Sequence, residues 1–95
     1  MGAGGAAVIV RFWEARVAQG RLPDAVEWAR AEVLPVALAA GATGAELVQS
    51  DADPATGNPP RIVVLTRWSF EPEFVEADPD PEIVERAHAW NFRAG

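Results

Sequence analysis

No cysteine occurs in this chain, and no lysine. The first absence removes disulfides, thiolate metal sites and cysteine nucleophiles together, and a small domain that holds without such staples fits a cytoplasmic location. The second leaves positive charge to Arg11, Arg16, Arg21, Arg30, Arg61, Arg67, Arg86 and Arg93, which are spread along the sequence. Fourteen acidic side chains outweigh them, giving a formal charge of -6. A nucleic-acid backbone would be repelled, so none is expected as a partner. Long apolar runs are missing too: Arg11 interrupts "AAVIV", and no basic segment precedes it. Neither a secretory signal nor a membrane span is therefore expected. The single histidine, His88, cannot build a transition-metal site with partners the sequence identifies, and no metal or other cofactor is expected. "MGAGGAAVIV" contains G-x-G-x-x-A, but its glycines precede the first strand, whereas a dinucleotide fingerprint follows one.

What remains is an ordinary globular composition, 49% hydrophobic and 23% charged over 95 residues. Chains near this size bury only about 60 to 65 per cent of the surface they expose when unfolded, so the core is thin. Residues 1–6 read as a flexible N-terminus and 7–95 as one domain. "AVIVRFWEARV" (7–17) mixes β-branched and aromatic residues over a strand's length. "GRLPDAVEWARAEVLPVALAAG" then changes period: Leu22, Val26, Ala29, Val33, Val36 and Ala40 make one helical stripe. Pro23 suits its first turn and Gly41 its stop, while Pro35 predicts a kink. "GAELVQSD" (44–51) and "RIVVLTRWSF" (61–70) read as strands joined by the turn-rich "ADPATGNPP". An acidic connection holding seven of the fourteen acids between Glu71 and Glu85 reads as a solvated loop and helix start. Behind Pro81, Ile83, Val84 and Ala87 are spaced as a short second helix, and Trp90 and Phe92 alternate as a last strand.

The order β-α-β-β-α-β in a chain this short predicts an α+β, ferredoxin-like fold: a four-stranded antiparallel sheet with two helices on one face. Strands one and three are apolar on both parities, with Val8, Val10 and Phe12 against Ile9 and Trp13, and Ile62, Val64 and Trp68 against Val63 and Leu65. A solvated sheet face reads polar. The helix-free face must be covered, and a second copy of the chain is the simplest cover, so a homodimer through that face is expected.

Strand one with its early helix, "GAELVQS", and above all "VLTRW" with Trp68 ending the third strand, together resemble the dimeric α/β-barrel superfamily. Within it they resemble the antibiotic biosynthesis monooxygenase-like proteins, over roughly residues 7 to 93. The resemblance implies a homodimer whose sheets pack face to face, with a pocket between each sheet and its own helices. It also implies one of a range of activities. These include cofactor-independent oxygenation, cyclisation or isomerisation of a hydrophobic, aromatic or polyketide-like small molecule, and heme degradation. The heme-degrading branch uses an asparagine on the first strand, a tryptophan on the third and a histidine on the second helix. Trp68 matches the tryptophan and His88 approximates the histidine, but strand one contains no asparagine, so heme is not expected.

Two function classes stay open: a small cofactor-independent enzyme of that kind, and a non-catalytic dimeric ligand-binding or assembly module whose pocket its own side chains fill. In the first, His88 is a general base near neutral pH. In the second, it is a helix-end histidine. In either, it is expected at the junction of the second helix and last strand, with its side chain near Trp68 or Trp90 and not free in solvent. Trp13, Trp28, Trp68 and Trp90 either wall a planar ligand or anchor the core and dimer interface. Arg11 and Arg67 each interrupt an apolar strand, and pair with acids such as Glu14 or Glu46 or bind an anionic oxygen in a cavity. Asp51, Asp53 and Asn58 carry oxygen ligands without the spacing of a calcium loop, and turn chemistry accounts for them.

Overall fold

A computed structural model describes residues 8–94. The flexible stretch expected over residues 1–6 lies outside the described residues. The elements run β1 (Val8–Val17), α1 (Leu22–Glu32), α2 (Leu34–Ala39), β2 (Gly44–Ser50), β3 (Arg61–Trp68) and β4 (Val84–Ala94). The four strands form one sheet in the order β2-β3-β1-β4, with every neighbouring pair antiparallel. Strands β1 and β2 therefore point the same way on either side of β3, as a split β-α-β crossover requires. This order is compatible with the ferredoxin-like arrangement.

Alternation assigns the two sheet faces. Ile9, Trp13, Ala15 and Val17 of β1 are buried, and so are Ile62, Val64, Thr66 and Trp68 of β3. Cross-strand pairing puts Arg11, Leu47 and Asn91 on the same, inner face. Against it lies the helix, whose buried residues Ala25, Ala29, Val33 and Ala37 recur every four positions. Alanine at three of them lets the helix backbone come close to the sheet, and Trp13 and Trp28 fill the flank with ring centroids 5.7 Å apart. Burying each large apolar side chain here stabilises the fold by about 1.5 to 3 kcal/mol.

The helix breaks where Pro35 predicts. Without an N–H, Pro35 cannot serve the Ala31 carbonyl, and Val33 departs to φ -114° between the two pieces. The apolar stripe turns with the break: Ala37 faces the sheet, whereas Val36, expected inside, is half exposed. Gly41 ends the second piece at φ +113°, and a Cβ there would sit 3.0 Å from the Phe70 ring. Gly41→Ala is expected to destabilise the fold by about 1 to 3 kcal/mol in urea unfolding. Gly20→Ala is the comparison, because Gly20 also has positive φ but open space around it. Equal losses would show that the Phe70 contact does not matter.

The second helix expected behind Pro81 does not form. Its start is a single turn, in which the Asp80 carbonyl accepts from Ile83 and Val84 N–H at 2.9 and 3.0 Å. β4 begins at once and pairs with β1 from Val17↔Val84 to Val8↔Ala94, with a register shift between Arg16 and Val17. Three residues at helical spacing offer too little to repay the cost of a helix nucleus, whereas β4 finds a ready strand beside it. The helical layer is thus one helix in two joined pieces, not two helices. In place of the missing one, the 69–83 connection crosses the inner face: Phe74 packs against the Trp68 ring (5.7 Å) and Glu76 is buried. Beyond Val84, every residue of β4 is exposed.

Candidate functional site

The expected site residues divide between the two faces of the sheet. Arg11, Trp13 and Trp68 face inward, and Arg67, His88 and Trp90 face outward. They do not converge on one pocket.

On the inner side the space around Trp68 and Trp13 is filled. Trp68 is 1% exposed; its indole N–H donates to the Thr66 hydroxyl at 2.8 Å, and Phe70 and Phe74 pack on its ring. Trp13 is core. Arg11 does not meet Glu14 or Glu46, because both lie on the outer face while Arg11 points inward. Its partner is Glu76, reached by two parallel bonds, Nε to Oε2 and Nη2 to Oε1, each 2.8 Å. Arg11 Nη1 also donates to Asn91 Oδ1 at 3.1 Å, and Asn91 Nδ2 to Glu71 at 3.2 Å. This fork is the strong form of carboxylate pairing, and it ties the acidic connection to the sheet. Sequence reasoning had placed Glu76 in a solvated loop.

His88 is not at a helix end. It lies in mid-β4, opposite Glu14 of β1, and is exposed. Trp90 is near it as expected, with ring centroids 5.8 Å apart, but the expectation that His88 is not free in solvent fails, because β4 past Val84 is exposed. Trp68 is on the other side of the sheet. Arg67 is exposed at the far end of the outer face, and among the described residues it has no salt bridge.

The outer face reads as rows across the four strands. Gly44, Arg67, Val10 and Phe92 make one; Glu46, Leu65, Phe12 and Trp90 the next; Val48, Val63, Glu14 and His88 a third; Ser50, Arg61, Arg16 and Arg86 the last. The first three rows carry Val10, Phe92, Leu65, Phe12, Trp90, Val48 and Val63, interrupted by Arg67, Glu46, Glu14 and His88, with Phe12 packed against Trp90 (5.9 Å) and edge-on to Phe92 (6.4 Å). At the last row the character changes: Glu14, Arg16, Arg61, Arg86 and His88 line a polar depression of about 170 Å³. Sequence reasoning missed this cluster, because Arg16, Arg61 and Arg86 become neighbours only through strand register.

Other hollows carry less chemistry. The largest, about 770 Å³, is an open groove between α1 and the end of β2, with Arg30 and Asp51 in its wall. At the hairpin tip Asp53 Oδ1 accepts from Ala55 N–H at 3.0 Å and Asp53 bridges to Asn58, which is turn chemistry. Among the described residues no group of three or more His, Asp or Glu gathers where a metal ion could sit. None of the described helices is long and apolar enough to cross a membrane. In comparisons of the chain with known proteins, no family model, no curated protein and no solved structure matches.

Proposed function

We propose that this chain is a non-catalytic assembly module of the dimeric α/β-barrel type, similar to the antibiotic biosynthesis monooxygenase-like proteins, acting in the cytoplasm as a homodimer. The carrying observation is the outer sheet face. Trp90, Phe92, Val8 and Val48 are 40 to 55% exposed there, with half-buried Val10, Phe12, Val63 and Leu65 between them. Contiguous apolar surface of this kind marks an interaction site. The occupant is a second copy. Four strands about 4.8 Å apart and some nine residues long give a footprint near 600 Å² in projection. Side-chain relief brings that towards the ~800 Å² per partner of a stable interface.

The interior supports an assembly role over catalysis. A cofactor-independent oxygenase, cyclase or isomerase on an aromatic or polyketide-like molecule needs a cavity between sheet and helices. Here Trp13, Trp68 and Phe74 fill the middle of that space, the open groove between α1 and the end of β2 holds none of the expected site residues, and His88 lies across the sheet. Phe12→Asp tests the module directly, since it puts a charge in the middle of the apolar rows. The variant is expected to keep its circular dichroism spectrum and elute as a monomer in gel filtration. An unchanged elution volume relative to the native chain would rule out this face as the interface.

A further inference from the structure

From the polar end of the outer face we infer a binding site for an amphipathic aromatic anion, a carboxylate or phosphate whose ring system rests on Trp90 and Phe12. The first observation is a charge anomaly. Arg16 stands directly opposite Arg61 on one side and Arg86 on the other, and like charges so placed repel. Only Arg61 has an acidic partner, Glu14 at 3.6 Å; among the described residues Arg16 and Arg86 have none. Three arginines against one glutamate leave a formal +2 in the depression, on a chain whose total is -6. Nothing in the fold requires this row, and an oxyanion is what would relieve it.

Size and surroundings narrow the ligand. The depression's 170 Å³ equals some five to six water volumes at about 30 Å³ each, room for a carboxylate or phosphate head and little more. Guanidinium forks match the geometry of both groups. Leading away from it, His88, Trp90 and Phe12 form a continuous aromatic path with centroid separations of 5.8 and 5.9 Å. A ring system stacked along that path keeps its head among the arginines. The depression lies within one protomer, but Trp90 and Phe12 belong to the face that the proposed dimer covers, so the ligand's ring system and a second copy compete for them.

The test is a titration of the full chain with 2-naphthoate, 2-naphthyl phosphate and the uncharged 2-naphthalenemethanol, followed by amide chemical shifts and by sedimentation of the same samples. Saturable binding of an anion, with shifts centred on Arg61, Arg86, His88 and Trp90 and the alcohol at least about tenfold weaker, is the expected result. The preferred anion tells carboxylate from phosphate. Arg86→Gln should weaken the anion by about tenfold or more while the fold and the self-association stay as they are. Equal binding of the alcohol, shifts elsewhere, or no saturation would overturn the site. So would an Arg86→Gln chain that binds equally or loses self-association, since the row would then serve a partner's acids. Anion binding that shifts a dimer towards the single-chain mass supports both readings. Binding by a chain that is single before any ligand is added leaves this site standing and sinks the dimer, and a dimer that binds no anion does the reverse.

Discussion

Arg11→Met is expected to lower the unfolding free energy by about 3 to 5 kcal/mol, because it leaves a buried carboxylate without its counter-charge. The Glu76 side chain is 3% exposed and that of Arg11 14%, so water cannot replace the lost partner. The loss has a structural consequence beyond its size. Glu76 is the buried polar tie, beside the exposed Asn91–Glu71 bond, that holds the 69–83 connection over the inner face, where Phe74 covers Trp68. Releasing it should raise amide exchange along that connection before the strands open. The double variant Arg11→Met with Glu76→Leu is the control, since removing both partners of a buried pair is often neutral. Recovery of most of the loss in urea unfolding is the expected outcome. A single variant within about 0.5 kcal/mol of the native chain, the range of ordinary surface changes, would mean that the pair is solvated and the strap loose.

Trp68→Ala should cost a comparable amount, about 3 to 5 kcal/mol, and it bears on function as well as stability. The ring is closed in by Phe70, Phe74 and Ala37, and the Thr66 hydroxyl that accepts its N–H is fully buried. Truncation therefore opens a cavity and orphans a polar group together. A tryptophan forming the wall of an open substrate pocket would behave differently, because its loss would only enlarge space already filled with water. Trp68→Phe separates the two contributions: it keeps most of the packing and removes the hydrogen bond, for an expected loss of about 1 to 3 kcal/mol. Thermal or urea unfolding of both variants checks the order. A Trp68→Ala chain as stable as the native one would favour a pocket over a filled interior.

Local signals carried most of the fold. β-branched alternation marked β1 to β3 to within about two residues, and Pro35 marked the helix break, because each depends on neighbours a few positions away. The region after Pro81 was misread for a physical reason. Ile83, Val84 and Ala87 satisfy a helical spacing, yet Arg86, His88, Trp90 and Phe92 also satisfy a strand's, and only the long pairing with β1 decides between them. The chemistry was less legible still. Glu76 meets Arg11 across 65 positions, and no composition count distinguishes it from the solvated acids around it. Parity alone, however, already put Glu14 on the opposite face from Arg11. The arginine row needs three strands in register before it exists.

The central claim is that the outer sheet face is covered by a second copy of this chain. Sedimentation equilibrium tests it most directly, on the native chain from about one to one hundred micromolar, a range that spans typical affinities of interfaces this size. With a chain mass of 10.1 kDa, the account predicts a particle of twice that mass, and a return to the single-chain mass for Phe12→Asp with its secondary structure intact. A folded native chain that stays at 10.1 kDa throughout that range would contradict it.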